Sequence, residues 1–246
     1  MSCSTNRANH RSAQSLPGGR CRAAASWLAA LALLAGPHAD AGSLAVSPLK
    51  LVYTKAAGII SVSVQNDGNA EALVQAETFL WKQTGSEHVL TPTEDVIAVP
   101  PVFKLAAGAQ QSVRVGLTRA FDEKQEQTFR LTVTEVPTAI AQGTIAVAVR
   151  HSLPIFIRPS SVIAPKLVAR FTQDGVELSN AGGEHLRIHR WRIRNSAGAI
   201  VSQGGGPGYL LAGAALVIPA AGRAQPGPAV FEADCDDATL KIAVGQ

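Results

Sequence analysis

The chain has 246 residues and a formal net charge of +4, from 22 Lys or Arg and 18 Asp or Glu. Four arginines and one aspartate lie in residues 1–41, so the remaining chain has 18 basic and 17 acidic residues, a net charge of +1. Nucleic-acid binding depends on concentrated positive charge, so this composition does not favour it. Only Cys235 lies outside the N-terminal segment, which excludes a disulfide within the remaining chain.

Residues 1–41 predict a secretory signal peptide. The arginines precede an apolar run over residues 23–36, and the small residues around Ala41 suit cleavage there. A membrane anchor is less favoured because the run is shorter than the roughly 20 residues that span a bilayer. We therefore predict export with cleavage near Ala41. The 205 residues that remain fit two domains of about 100 residues each.

The segments that follow are short, alternate between apolar and polar residues, and are separated by turn residues. Such spacing without a helical period predicts an antiparallel sandwich of the immunoglobulin type. The stretch from Thr84 to Pro92 is predicted to be a loop. The predicted strands are residues 59–64, 73–81, 102–105, 112–117 and 129–136, and the series closes with the segment from Gly143 to Pro159.

The pattern then begins again beyond a hinge at residues 160–164. Val176–Gly182 resembles Ser63–Gly68, since each is a strand followed by an Asn-x-Gly turn. The sequence therefore predicts an all-β chain of two sandwiches in tandem, with domains at residues 42–160 and 161–246. Gly204–Gly208 is predicted to be a loop, because dense Gly and Pro disfavour regular structure.

The segment from Gly143 to Pro159 is predicted to be a strand offered to a partner. Ile145, Val147 and Val149 alternate with smaller or polar residues, which places branched side chains on one face. Pro154 cannot donate a ladder hydrogen bond, so the later part is predicted to lie at a sheet edge or to leave the sheet. A bare apolar edge is an aggregation hazard unless another chain covers it.

Catalytic groups are scarce in this sequence. A metal shared by His185 and His189 is the less favoured alternative to two solvated imidazoles, and calcium binding by Asp234, Asp236 and Asp237 is less favoured than a solvated turn. These acids should raise the pKa of Cys235, which argues against a nucleophilic thiol. The sequence therefore predicts a binding protein that is not an enzyme and needs no metal or other cofactor.

One basic cluster stands out in the second half. Arg190, Arg192 and Arg194 project from one face of a predicted strand. A solvated face is the favoured interpretation, and a contact patch for an acidic partner is the alternative.

Several motifs occur together in an order that resembles the periplasmic pilus-assembly chaperones of the PapD-like family. They are Pro100–Leu105, Gly108, Gln111, Val113–Val115, Phe129–Leu131, Glu135–Pro137 and Pro154–Pro159 in the first half, with looser matches at Asn180–Gly182, His185–Ile188 and Gly208–Gly213. Trp81, Pro92–Asp95 and Leu153–Pro154 add a resemblance to the archaic chaperone-usher branch. The resemblance implies a boomerang of two immunoglobulin-like domains that binds pilin subunits in the periplasm and delivers them to an outer-membrane usher.

The resemblance also implies the roles of particular residues. The donor strand would present Ile145, Val147 and Val149 to a subunit that lacks a strand, and His151 and Leu153 share their parity and extend the row. Lys50 matches one of two cations that hold the subunit's terminal carboxylate. The second cation falls at Pro154, and Arg130 is its candidate replacement. Glu135 and Arg158 match an interdomain ion pair.

Two other classes of protein remain as alternatives. A structural pilin would carry its own N-terminal donor extension, whereas the chain after residue 41 enters a strand almost at once. A metalloenzyme on the same sandwich would bind metal when purified. The sequence leaves open whether the free protein self-associates to cover its edge.

Overall fold

A computed structural model describes residues 44–54, 58–121, 125–137, 148–159, 161, 163–219 and 227–245. These residues form strands and turns without a helix. The predicted signal peptide, and Ile145 and Val147 of the predicted donor strand, lie outside the described residues. The predicted fold class, two immunoglobulin-like sandwiches in tandem, is confirmed.

Within the described residues, the first sandwich contains ten strands in two sheets. One sheet has the order β1-β3-β8-β6 and the other the order β2-β10-β9-β4-β5, with β7 also paired to β4. The strands are β1 (Leu44–Ser47), β2 (Leu51–Tyr53), β3 (Ile59–Asn66), β4 (Ala72–Thr84), β5 (Glu87–Pro92), β6 (Val96–Val99), β7 (Val102–Leu105), β8 (Gln110–Leu117), β9 (Gln127–Val136) and β10 (Arg150–Ile157).

Alternating valines explain why two of these strands form one wall of the core. Val62 and Val64 of β3 are fully buried, as are Val113 and Val115 of β8, while the residues between them face outward. Val62 lies directly opposite Val113 in the antiparallel register, so the two rows of branched side chains form one surface. This surface packs in one cluster with Leu131 and Ile155 of the facing sheet.

The described part of the second sandwich contains seven strands. Their order is β14-β13-β16-β17-β11-β12-β15, and the only parallel pair among them joins β11 to β17 in the part of the domain that is described. The strands are β11 (Leu167–Thr172), β12 (Gly175–Asn180), β13 (Leu186–Asn195), β14 (Ile200–Leu210), β15 (Ala215–Ile218), β16 (Ala229–Cys235) and β17 (Thr239–Gly245).

Strand β10 has two different environments along its length. It pairs with β9 throughout, from Arg150 to Ile157, but its parallel pairing with β2 begins only where Ile155 meets Leu51. The residues after Pro154 therefore have neighbours on both sides, which corrects the prediction that this later part lies at an edge. Among the described strands, the part from Arg150 to Pro154 has a partner on one side only. Pro154 is the last residue of this part. The N–H that proline lacks would face the open side, so its absence costs no ladder hydrogen bond.

A buried asparagine at the same place in both sandwiches supports the internal repeat. Asn66 is 2% exposed, and its side-chain amide donates to the carbonyls of Ala70 and Leu105. Asn180 is 1% exposed, and its amide donates to Glu184 and Leu210. The backbone repeats as well, because the N–H of Gly108 donates to the carbonyl of Asn66 and the N–H of Gly213 to that of Asn180. Each asparagine joins the end of one strand to a turn between two others.

The predicted loop from Thr84 to Pro92 was wrong, because it contains β5. All six residues of β5 are exposed, so no apolar alternation marked the strand. The predicted loop at Gly204–Gly208 was wrong too, since these residues belong to β14. A Cβ at Gly204 would lie 2.9 Å from the Trp191 ring, so the absence of a side chain lets this strand pass over the indole.

We expect Asn66→Ala to lower the free energy of unfolding by about 3 kcal/mol, because it leaves buried carbonyls without donors. Urea unfolding of the purified chain measures this change. Asn195→Ala is the matched control, because Asn195 holds an exposed turn through the N–H groups of Ala197 and Ala199. It should cost less than about 1 kcal/mol. Equal losses for the two variants would contradict the proposed role of the buried amide.

Candidate functional site: a cationic groove between the sandwiches

A groove of about 350 Å³ lies where the two sandwiches meet. The first sandwich supplies residues just before β2, one residue of β9 and the open part of β10, and the second supplies one residue each from β13 and β14. The lining residues are Leu49, Lys50, Arg130, His151, Ser152, Leu153, Pro154, Arg187 and Tyr209. Among the described residues of this lining, three are cations and none is Asp or Glu, so the groove is suited to an anion.

Lys50 is held at the groove by the residue that follows it. Leu51 is 1% exposed and begins the parallel pairing of β2 with Ile155 of β10. This buried neighbour fixes the backbone, while the lysine itself is exposed at the start of the strand. The ammonium group is therefore presented at the rim of the groove, where a partner carboxylate can reach it.

Arg130 lies on β9 and is held on two sides. Its guanidinium carbon is 3.8 Å from the centre of the Trp81 ring and 5.7 Å from that of Tyr209. One of its N–H groups donates to the carbonyl of Ser152 at 3.2 Å. Burial lowers the pKa of Arg130 from its usual value, and the neighbouring Tyr209 acts in the opposite direction. An arginine remains charged after such a shift, so the groove keeps this positive charge.

The structure therefore brings together Lys50 and Arg130, the two residues that sequence reasoning assigned to a carboxylate site. It also adds Arg187 and Tyr209, which sequence reasoning did not assign. These two residues lie directly opposite each other on β13 and β14. Both lie in segments that loosely match the family, His185–Ile188 and Gly208–Gly213, but their place at the groove depends on how the second sandwich packs against the first.

The floor of the interface is an aromatic cluster shared by the two sandwiches. Phe156 of β10 stacks on His185 with ring centres 3.6 Å apart, and the Trp81 and Tyr209 rings meet edge to face at 5.4 Å. Trp81 and Phe156 come from strands of the first sandwich but pack in the core of the second. The groove therefore lies on packed aromatic rings to which both sandwiches contribute.

A carboxylate from the first sandwich holds the start of β13. Glu126 Oε1 accepts a hydrogen bond from the backbone N–H of His185 at 3.1 Å and lies 2.8 Å from the imidazole Nδ1. The glutamate side chain is fully buried and the histidine side chain is 9% exposed. The backbone N–H of Glu126 also donates to Gly183 at 3.0 Å. These contacts fix the approach of the second sandwich two residues before Arg187.

The predicted ion pair between Glu135 and Arg158 is replaced by another pair. Arg158 Nε lies 3.4 Å from Glu184 Oε1, so its acidic partner among the described residues comes from the second sandwich. A buried oxygen of Glu135 has no hydrogen-bond partner within the described part of the chain. Glu184 is 9% exposed and lies in the turn that Asn180 closes. The repeated Asn-x-Gly turn was the sequence signal that could have indicated this residue.

The predicted donor residues differ in their surroundings. Leu153 is 1% exposed and packs in the core of the first sandwich, so its side chain is not available to a partner in this structure. His151 is half-buried, and its Nε2 lies 2.7 Å from the carbonyl of Leu44. Val149 is half-buried too, and its carbonyl accepts from the N–H of Glu135. Ile145 and Val147 lie outside the described residues.

Comparisons with known proteins agree with this architecture. Residues 43–163 match the family model described as pili and flagellar-assembly chaperone, PapD N-terminal domain. The first sandwich therefore matches the N-terminal domain of the PapD-like chaperones. Over 161 residues it is 29% identical to the chaperone protein FimB/FhaD of Bordetella pertussis, and the match spans 61% of this chain and 64% of that relative.

Two solved structures of chaperone–subunit complexes contain a chain with the same fold as this protein. One is a chain of the CsuC–CsuE chaperone–tip adhesion subunit pre-assembly complex from the archaic chaperone-usher Csu pili of Acinetobacter baumannii, with a TM-score of 0.63 and 19% identity over 83% of this chain and 99% of that one. The other is from the Salmonella enterica SafA pilin in complex with the SafB chaperone, with a TM-score of 0.59 and 17% identity over 81% and 95% of the two chains. At such identities the likeness concerns the fold.

The alternative sites considered from the sequence are not brought together. His185 contacts Glu126, whereas His189 Nε2 lies 2.5 Å from Asp236. The described residues contain no group of three or more His, Cys, Asp or Glu placed to hold a metal ion. Within the same residues, no helix has the length and apolarity needed to cross a membrane.

Two arginines of the basic cluster already have acidic partners. Arg194 Nε lies 3.0 Å from Glu232, and Arg192 contacts both Glu232 and Asp234. The Arg194 hydrogen bond, followed by that of Lys241, lowers the pKa of Glu232 against the effect of burial. This pairing within the chain leaves little free charge for an acidic partner at Arg192 and Arg194.

The thiol of Cys235 is held in its neutral form. Burial first, and then the charges of Asp236, Asp234 and Asp237, raise its pKa to about 11. The predicted effect of the neighbouring acids is confirmed in direction, although burial is the larger cause. The thiolate is the reactive species, so Cys235 is a poor nucleophile near neutral pH.

We expect iodoacetamide to alkylate Cys235 at least 10-fold more slowly than a free cysteine at pH 8, because a thiol with a pKa near 11 is almost entirely protonated there. The rate should rise with pH up to about 11, since the thiolate fraction grows until the pH passes the pKa. Mass spectrometry of a chain with Cys3→Ser and Cys21→Ser measures this rate. Alkylation as fast as that of free cysteine at pH 8 would contradict the raised pKa.

Proposed function

We propose that this protein is a periplasmic chaperone that captures pilin subunits by donating a strand and delivers them to an outer-membrane usher. The observation that carries this proposal is the open side of β10 beside a groove with three cations and no acid in its lining. The match of residues 43–163 to the PapD N-terminal domain model supports the same function, as does the chaperone name of the relative. The activity is binding, without bond-making chemistry or a cofactor.

The strand edge supplies the first part of the proposed capture. A subunit strand that pairs with the open side of β10 gains backbone hydrogen bonds, and the apolar residues that precede β10 enter its unfinished core. Ile145, Val147 and Val149 form this row, at about 1.5–3 kcal/mol for each side chain fully buried, before the cost of association. Leu153 anchors the base of the row in the chain's own core, so the proposed donor surface ends at His151.

The groove supplies the second part, which sets the register of the subunit. A strand that runs along β10 towards Pro154 ends at Lys50 and Arg130, which line the groove with Ser152 and Leu153. A terminal carboxylate there gains charge-assisted hydrogen bonds in a partly buried place. Because a one-residue slip would turn the apolar face of the subunit strand away from its core, a fixed end determines which side chains meet.

We expect Val147→Asp and Val149→Asp each to abolish capture of a pilin subunit, because a carboxylate would have to enter an apolar core. Co-expression with candidate subunits encoded beside this gene, followed by pull-down, measures capture. Ala148→Asp is the matched control, because Ala148 is exposed and has the opposite parity. The Ala148→Asp chain should capture the subunit as well as the natural chain does. All variants should keep the melting temperature of the natural chain. A Val149→Asp chain that still protects its subunit from proteolysis would refute strand donation at this position.

We expect Lys50→Ala to weaken capture at least 10-fold without a change in stability, since Lys50 is exposed and serves only the partner. Titration of a synthetic peptide with a free or amidated C-terminus separates the carboxylate from the rest of the strand. The natural chain should prefer the free acid, and Lys50→Ala should reduce that preference. Lys166→Ala, on the second sandwich and away from the groove lining, is the control. An unchanged preference after Lys50→Ala would remove this residue from the site.

A further inference from the structure

We propose that Arg187 is a third cation of this site, and that the groove selects partner chains whose last residue is itself acidic. The proposal rests on the proposed function and specifies the partner that the same groove accepts. Sequence reasoning assigned two cations for one terminal carboxylate. The structure places a third positive charge from the second sandwich on the same groove, where it changes which chain ends fit.

Arg187 reaches the groove because of its place at the start of β13. It lies opposite Tyr209 of β14, and its guanidinium carbon is 5.4 Å from the centre of the Tyr209 ring. Arg130 approaches the same ring from the first sandwich, at 5.7 Å. One tyrosine ring therefore stands beside both guanidinium groups, and both residues line the same cavity of about 350 Å³.

Arg187 differs from Arg192 and Arg194 of its strand in having no acidic partner among the described residues. Arg192 and Arg194 are neutralised by Glu232 and Asp234, two residues of the adjacent strand β16. Arg187 is exposed, and its guanidinium lies beside the Tyr209 ring. Its charge is therefore available for a ligand.

Two of the acids that line a neighbouring cavity are already engaged. Lys50 and Arg187 also line a second cavity of about 330 Å³, which contains Glu184, Asp236 and Asp237. Glu184 pairs with Arg158 at 3.4 Å, and Asp236 lies 2.5 Å from His189. These contacts draw Glu184 and Asp236 towards other partners, and Asp237 lies in the second cavity and not in the lining of the cationic groove.

The number of positive charges in the groove indicates how many carboxylates a well-matched chain end carries. A chain that ends in a neutral residue brings one carboxylate to the three cations Lys50, Arg130 and Arg187. Once the partner covers the groove and excludes water, the remaining positive charge is poorly screened and costs free energy. A last residue of Asp or Glu brings a second carboxylate within one side-chain length of the first. Arg130 is fixed by Trp81 and Ser152, so the terminal carboxylate suits Arg130 and Lys50, and the side-chain carboxylate suits Arg187.

The test uses four labelled peptides of the form Gly-Thr-Val-Thr-Val-Thr-Tyr-Xaa. Xaa is Asp or Asn, and each peptide has either a free acid or an amide at its end. Fluorescence anisotropy with the purified full chain gives a dissociation constant for each peptide. The ratio of Asn to Asp peptides, both as free acids, measures recognition of the second carboxylate. The ratio of amide to acid measures recognition of the terminus.

We expect the natural chain to bind the Asp acid about 5-fold more tightly than the Asn acid. Arg187→Gln should reduce this ratio to about 1 while the preference for a free acid over an amide remains, and Arg187→Lys should restore part of the ratio. Arg190→Gln is the matched control, because Arg190 is exposed on the same strand but does not line the groove. It should leave both ratios unchanged.

The outcomes separate this inference from the proposed function. If the natural chain prefers the free acid but binds Asp and Asn peptides equally, or if Arg187→Gln keeps the Asp preference, the inference on Arg187 is overturned and the carboxylate clamp stands. If the acid and amide peptides bind equally to the natural chain, the clamp itself fails and the inference fails with it. Because Arg187 is exposed, its variants should keep the natural melting temperature, which is measured alongside.

Discussion

The structure depends on the packing of strand β10 between two hydrophobic cores. Leu153 and Ile155 point into the core of the first sandwich and are at most 1% exposed. Phe156, on the opposite face, is fully buried in the core of the second. A strand whose two faces serve different domains cannot shift by one residue, because the shift would exchange the two sets of side chains. The relative position of the sandwiches is therefore fixed by the same residues that build their cores.

This constraint also determines where the groove lies. Both faces of β10 are buried from Leu153 to Ile157. From Arg150 to Leu153, β9 is the only neighbour of the strand among the described strands. The cationic groove lies at this point of β10, between the part with an open edge and the part that is buried in the domain interface. Trp81 serves both sides of the boundary, since it packs in the second core and carries the guanidinium of Arg130 on its ring. A ligand at the groove thus contacts groups that the rigid interface already holds in place, which lowers the cost of ordering them on binding.

The comparison between sequence and structure is clearest at particular elements. Alternating valines in β3 and β8 predicted their strands, because one face of each is buried and the period of two survives in the sequence. β5 is exposed along its whole length, and the glycine-rich part of β14 carries almost no side chains, so neither shows a period. Lys50 and Arg130 were assigned from the family resemblance, in which Lys50 matches one cation and Arg130, within the motif Phe129–Leu131, is the candidate for the second. Arg187 and Glu184 were missed because their roles depend on contacts across the domain interface.

The sequence by itself determined the fold class, the repeated Asn-x-Gly turns and the direction in which the neighbouring acids shift the pKa of Cys235. These features depend on local periodicity or on neighbours within a few residues, and such information is present in the order of the amino acids. Only the tertiary structure decided that Arg158 pairs with Glu184, that Leu153 belongs to the chain's own core, and that Arg187 joins Lys50 and Arg130. Each of these contacts joins residues that are far apart in the sequence, and the packing of one sandwich against another, which brings them together, has no local signature.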